Sequence, residues 1–131
     1  MSLERASGPA SGSEVTAHTA MHVRGRSLVV PVPPDSEAEG LAELGDAILA
    51  RMRARNLTGL VLDLGAVAII DADAFRTLAK ISDGAGLFGA RTVWVGIQPG
   101  VAAALVDLDV DLTELIAARN VRRGTDLLGG E

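Results

Sequence analysis

Three short apolar runs constrain the fold of this chain more than any other feature of its sequence. They occupy residues 27–32, 59–64 and 91–96, and the last two are typical of strands buried on both faces of a sheet. Stretches whose apolar residues recur at helical spacing lie between them, as Leu41, Leu44 and Ile48 do. Strands and helices that alternate in this way predict an α/β domain with a mostly parallel central sheet.

The first two predicted strands form an N-terminal β-hairpin. Residues 20–23 and 27–32 flank the turn Arg24-Gly25-Arg26, and Pro33 ends the second strand because proline donates no ladder hydrogen bond. A weak strand is predicted at residues 115–118. Four helices complete the order ββαβαβαβα, at residues 36–55, 71–89, 99–108 and 120–128. Ser36 and Glu39 form a predicted capping box at the start of the first helix. Asp71 and Asn120 are the predicted N-caps of the second and fourth helices, and Pro99 begins the third.

Composition limits where the protein acts and what it binds. The 131 residues are 48% hydrophobic, enough for one core, and we expect a flexible Ser/Gly/Ala-rich tail at 1–18 before a single domain at 19–131. Twelve basic and seventeen acidic side chains give a net charge of −5, which argues against nucleic acid as a partner. No apolar run is long enough to span a membrane and no signal peptide is recognisable. With no cysteine, the composition fits the cytoplasm.

Few residues are available for catalysis. The two histidines, His18 and His22, precede or open the first strand, so neither a Ser/His/Asp triad nor a His-rich metal centre is expected. Glycine-rich nucleotide loops are absent, and no cofactor is predicted. Asp63 at a strand end resembles a receiver-type phosphoacceptor, but that chemistry wants a late lysine and the only lysine is Lys80. We therefore expect a protein that is not an enzyme.

Two strand-to-helix turns carry what remains of a functional signal. One contains Asp71 and Asp73, and the other is the turn at residues 96–100. Both follow parallel strands, at the edge where open α/β sheets usually meet ligands or partners. On spacing alone, helix capping by Asp71 and dipole compensation by Asp73 are favoured over a functional role. Two interpretations also stay open for Arg51, Arg53 and Arg55 at the end of the first helix. They stabilise the negative end of the helix dipole, or they contact a partner.

Five segments in order along the chain carry a family resemblance: Leu62-Asp63-Leu64, Ile70-Asp71, Leu87-Phe88-Gly89-Ala90, Val95-Gly96-Ile97-Gln98-Pro99-Gly100-Val101 and Leu105-Val106-Asp107-Leu108. Together these segments resemble the STAS domain family. Within that family the chain is similar to the stressosome branch, in particular to its small RsbS-type anti-sigma factor antagonists, and the likeness runs from about residue 20 to residue 128.

The resemblance implies a SpoIIAA-like STAS fold and a non-catalytic role in bacterial stress signalling. Such domains act by partner switching: they bind a GHKL-type serine kinase or an anti-sigma factor and are released by phosphorylation of one Ser or Thr. In the stressosome branch that acceptor follows the aspartate matched here by Asp71, and in the sporulation branch it comes one residue later. This chain has Ala72 and Asp73 at those positions, so the acceptor hydroxyl is lost. Thr77 and Ser82 are the remaining hydroxyls on that helix.

The expected partner surface lies on the second helix. Phe75, Leu78 and Ala79 should face the sheet, and the opposite face should carry charge with little exposed apolar area. We expect partner contacts at Asp71, Asp73, Arg76, Thr77, Lys80, Gln98 and Pro99. A structural subunit that assembles with other STAS proteins is the alternative, and a homo-oligomer stays open. The sequence names neither the sigma factor nor the kinase.

Overall fold

A computed structural model describes residues 20–129, and the predicted tail at residues 1–18 lies outside them. Within the described part of the chain, five strands alternate with four α-helices and one 3₁₀ helix. The elements are β1 (His22–Arg24), β2 (Ser27–Pro31), α1 (Ala38–Arg55), β3 (Gly59–Asp63), α2 (Ala72–Gly86), β4 (Arg91–Val95), α3 (Pro99–Asp107), the 3₁₀ helix Leu112–Glu114, β5 (Ala117–Ala118) and α4 (Val121–Leu127).

The strands form one sheet in the order β1-β2-β3-β4-β5. Only β1 runs antiparallel to its neighbour, and the other three pairings are parallel. The hairpin turn starts at Gly25, whose φ of 60° suits glycine at the first position of a two-residue loop. The predicted α/β class, the mostly parallel sheet and the antiparallel hairpin are therefore confirmed.

Alternate residues of the central strands point to two different cores. On one face, Leu28, Leu62 and Trp94 join the apolar residues of α1, α2 and α3 in the main core. On the other face, four valines pack against the start and end of α4 in a second, smaller cluster. Helical periodicity places the buried residues Leu41, Leu44, Ile48 and Met52 on one apolar face of α1.

The predicted start of α1 is wrong. Ser36 does not cap the helix, because its hydroxyl donates instead to the carbonyl oxygen of Pro33 at 2.8 Å. Glu37 holds the N-cap position without a side-chain hydrogen bond, and the helix begins at Ala38. The predicted capping box is therefore absent, because the Ser36 hydroxyl bonds to the carbonyl oxygen of Pro33 and not to a backbone N–H of the helix.

Other boundaries shift by one to three residues. Strand β1 lies later than predicted, and α2 ends at Gly86, short of the expected residue 89. The chain there turns through Gly89, which has a φ of 85°. The predicted N-cap at Asn120 is confirmed, since its side chain accepts a hydrogen bond from the backbone of Arg123. No helix among residues 20–129 is long and apolar enough to cross a membrane.

Candidate partner-binding edge of the sheet

Parallel strands bring the candidate residues to one edge of the sheet. β2, β3 and β4 run side by side in register, so the segments that follow them emerge together. The loop after β3 leads into α2 through Asp71, and the turn after β4 leads into α3 through Gln98 and Pro99. We call this surface the carboxyl-edge face.

Asp71 fixes where α2 begins. Its carboxylate Oδ1 accepts a hydrogen bond from the backbone N–H of Ala74 at 2.8 Å, which satisfies one of the free donors of the first turn. Phe75 and Leu78 then anchor the helix on the sheet, with the rings of Phe75 and Trp94 5.7 Å apart. The predicted N-cap and the burial of these two residues are confirmed, whereas Ala79 is only half-buried.

The outer face of α2 carries the predicted charges. Nη1 of Arg76 lies 2.9 Å from Oδ1 of Asp73, and both side chains are more than two-thirds exposed, at 67% and 79%. Thr77 lies beside them, but its hydroxyl already donates to the backbone oxygen of Asp73 at 2.9 Å. Lys80 is exposed one turn further along. A partner that approached this face would meet both signs of charge.

The turn after β4 contacts the loop after β3. Nε2 of Gln98 donates to the carbonyl oxygen of Gly65 at 2.7 Å, so the predicted proximity of this turn to the segment leading into α2 is found. Two glycines allow the approach. A Cβ on Gly96 would lie 3.0 Å from the backbone nitrogen of Gly65, and one on Gly100 would lie 2.5 Å from the carbonyl oxygen of Ala68.

Ile69 changes the expected character of the face. It is 74% exposed on the loop just before Asp71, where we expected little apolar surface. A cleft of about 360 Å³ opens beside it, between this loop and the segment that follows β2. Sequence reasoning missed Ile69 although a signal existed: only one of the adjacent Ile69 and Ile70 can face the core, and Ile70 takes that place.

The face offers contacts rather than reactive groups. Among residues 20–129, no three His, Cys, Asp or Glu side chains come close enough together to hold a metal ion. His22 is exposed on β1, one of the two edge strands of the sheet. Ala72 and Asp73 occupy the first turn of α2, where neither supplies a hydroxyl.

Comparison by sequence finds relatives of two kinds, while a scan against protein-family models finds no match. The chain is 29% identical over 84 residues to the uncharacterized protein YezB of Bacillus subtilis, covering 64% of this chain and 86% of YezB. It is 26% identical over 65 residues to the RsbT co-antagonist protein RsbRA of the same organism. That match covers 50% of this chain but only 24% of RsbRA.

Comparison by structure finds neighbours that match most of the chain. A serine-to-glutamate variant of RsbS from Moorella thermoacetica superposes with a TM-score of 0.73 at 28% identity, covering 83% of this chain and 92% of RsbS. The chain therefore has the STAS fold and is similar to RsbS. A stressosome chain gives a TM-score of 0.71 at 28% identity, over 83% of this chain and 95% of that one.

The STAS fold extends to more distant structures. The anti-sigma factor antagonist SpoIIAA superposes with a TM-score of 0.65 over 85% of this chain and 97% of its own, at 10% identity. At that identity the likeness concerns the fold alone. The predicted SpoIIAA-like STAS fold is thus confirmed, and the chain's relatives include the co-antagonist protein RsbRA.

Proposed function

We propose that this STAS protein is an anti-sigma factor antagonist that works by partner switching. Its partner is a GHKL-type serine kinase or an anti-sigma factor, bound through the start of α2 and the adjoining turns. The observation that carries the proposal is the carboxyl-edge face, where Ile69 is 74% exposed on the loop before α2 and the exposed Asp73–Arg76 pair lies on the first two turns of that helix. A small apolar contact surrounded by charge suits a complex that must form and release.

The switch in this protein lacks its usual acceptor. The position after Asp71 is Ala72, and the next is Asp73, so neither register offers a hydroxyl. A phosphate here would be stabilised by the free N–H groups and dipole of α2, and the carboxylate of Asp73 places a smaller negative charge in the same turn. We infer that phosphorylation does not control this surface, so that the protein is held in one partner-binding state.

Charge reversal on α2 tests the partner surface. Arg76→Glu should weaken binding to a purified GHKL-type serine kinase by about tenfold or more, as 1.4 kcal/mol lost from a charged contact would do. The measurement is calorimetric titration, with circular dichroism to show that the variant is folded. If Arg76→Glu binds normally while Arg53→Glu abolishes binding, the functional face lies at the end of α1 and the assignment to α2 is wrong.

A second candidate function is that of a structural subunit in an assembly with other STAS proteins. The likeness to a stressosome chain and the missing hydroxyl at Ala72 favour it. Mass measurement separates the two functions. A structural subunit forms a large particle with a longer STAS protein and shows no kinase binding, whereas the antagonist binds the kinase whether or not the longer protein is present.

We also propose that the protein has no catalytic activity of its own. The carboxyl-edge face pairs no nucleophile with a general base, since the Thr77 hydroxyl is held by the backbone of Asp73. Purified protein should neither hydrolyse ATP nor transfer its phosphate. Turnover that co-purifies with the protein through a second chromatographic step, at constant specific activity, would refute this.

A further inference from the structure

A groove of about 330 Å³ opens between α2, β4 and the segment that leads into β5, and we call it the β4 groove. From α2 it is lined by Ala79, Ser82 and Asp83, which are three and four residues apart and therefore share one side of the helix. None of the residues assigned to the carboxyl-edge face lines it. The β4 groove is thus a separate surface feature of the molecule.

The hydroxyl of Thr92 lacks a hydrogen-bond partner in the wall of this groove. Thr92 is only 9% exposed, and its buried Oγ1 bonds to no atom of residues 20–129. Buried polar groups are nearly always paired, because an unpaired one bears the full cost of losing its water. Since Thr92 lines the β4 groove, a polar group bound there could pair with this hydroxyl.

The backbone of Thr92 is also free of β5. Pairing between β4 and β5 starts at Trp94 with Ala117, and the N–H of Trp94 bonds to the carbonyl oxygen of Ile116 at 2.8 Å. Alternate residues of a strand bond to the same neighbour, so the N–H and C=O of Thr92 point to the same side as those of Trp94. No backbone hydrogen bond joins Thr92 to residues 111–116. One residue therefore supplies a backbone donor, a backbone acceptor and a hydroxyl for a ligand.

The β4 groove combines aliphatic walls with charges of both signs. Leu115 is half-buried and Ile116 is 40% exposed where they line it. Asp83, Glu114 and Arg91 also line it, and all three are exposed. Within residues 20–129 the three charges form no ion pair with one another. They can therefore pair with the charges of a ligand.

We propose that the β4 groove binds a free α-amino acid with an aliphatic side chain. The ligand's carboxylate accepts hydrogen bonds from the backbone N–H of Thr92 and from Arg91. Its ammonium group donates to the Thr92 hydroxyl and to the carboxylate of Glu114. The aliphatic side chain packs against Leu115 and Ile116. Such a ligand supplies the missing partner of the buried hydroxyl and matches both signs of charge with one small molecule.

Size and charge favour an amino acid over a nucleotide or a single water molecule. Ligand pockets range from about 300 to 1,000 Å³, so a groove of about 330 Å³ suits a small ligand. Two carboxylates against one guanidinium would repel a chain of phosphates. One water, at about 30 Å³, could pair with the hydroxyl but would leave most of the groove unfilled. The proposal needs neither a kinase nor the carboxyl-edge face, so its failure would leave the proposed antagonist function standing.

NMR titration of the isotope-labelled protein with L-leucine tests the site. Concentrations from about 0.1 to 10 mM bracket a Kd of about 1 mM, and over this range the amide signals of Ser82, Thr92 and Leu115 should shift and saturate. N-acetyl-L-leucine lacks the ammonium charge and L-leucine amide lacks the carboxylate. Each should bind at least about tenfold more weakly, as the loss of one charged hydrogen bond predicts.

Thr92→Val separates ligand binding from folding. Valine keeps the shape of threonine without the hydroxyl, and that hydroxyl bonds to nothing in the described residues. The variant should therefore be at least as stable as wild type in urea denaturation, yet bind L-leucine about tenfold more weakly. Glu114→Gln should also weaken binding, because the ammonium group loses its charged partner. Glu43→Gln, which removes an exposed charge from α1, is the matched control and should bind as wild type does.

Four results would overturn the proposal. The first is the lack of saturable shifts with L-leucine up to about 10 mM, well above the Kd expected of a weak small ligand. The second is equal binding of N-acetyl-L-leucine. The third is a folded Thr92→Val variant that binds L-leucine as wild type does, since the hydroxyl would then hold only water. The fourth is a Thr92→Val variant less stable than wild type, which would show that the hydroxyl is bonded within the protein.

Discussion

At the scale of single residues, Gly100 controls how closely α3 approaches the loop that leads to α2. Since a Cβ at this position would lie 2.5 Å from the carbonyl oxygen of Ala68, Gly100→Ala forces backbone to move. We expect the free energy of unfolding to fall by about 1 to 3 kcal/mol, as overpacking usually costs. Urea denaturation measures it.

Gly40 provides the matched control for that substitution. A Cβ there would meet nothing within 4 Å, and the residue lies within α1. Gly40→Ala should therefore raise the free energy of unfolding by about 0.5 to 1 kcal/mol, because alanine is the better helix former. Equal effects of the two substitutions would mean that the contact with Ala68 is unimportant.

Ala72 is the residue at which regulation can be restored. Ala72→Ser supplies a hydroxyl in the first turn of α2, and incubation with the GHKL-type kinase and ATP should then place phosphate within residues 71–76, while wild type stays unmodified there. Site-resolved mass spectrometry makes the measurement, and Asp73→Ser tests the alternative register. Phosphate on neither variant, with a kinase that modifies its own substrate, would contradict the match of this turn to the family's acceptor site.

At the scale of elements, the start of α2 separates a structural aspartate from an exposed one. Asp71→Ala removes the hydrogen bond to the N–H of Ala74 and should cost about 1 kcal/mol of stability, whereas Asp73→Ala loses only an exposed ion pair worth about 0.5 kcal/mol or less. Thermal unfolding of both variants checks the order. The reverse order would show that the Asp73–Arg76 pair, and not the cap, holds the helix start.

The sequence predicted elements better than it predicted their ends. The spacing of apolar residues reflects which side chains are buried, so the strands and the four helices can be predicted from that spacing. Ends depend on local competition for hydrogen bonds. Ser36 has the spacing of a cap but donates to Pro33, a contact that sequence spacing does not reveal. The exposure of Ile69 was not predicted for a related reason. Which of the two adjacent isoleucines faces the core depends on the path of the loop.

At the scale of the whole molecule, the two cores differ greatly in size. The main core joins α1, α2 and α3 to one face of the sheet, while the second consists of four valines with partly buried neighbours from β5 and α4. Gly124 allows α4 to lie close, since a Cβ there would come within 2.8 Å of Val95. The carboxyl-edge face is thus supported mainly by the larger core.

Because β5 is so short, we expect the C-terminal segment to unfold locally more easily than the rest of the protein. The strand is two residues long and pairs with β4 over only two positions, Trp94 with Ala117 and Val95 with Ala118. We expect amide hydrogens beyond residue 110 to exchange with deuterium through local opening, orders of magnitude faster than those of β2 and β3, which exchange only when the whole protein unfolds. Uniform protection along the chain would contradict this. The segment from residue 111 to residue 129 can then detach and return while the start of α2 stays folded.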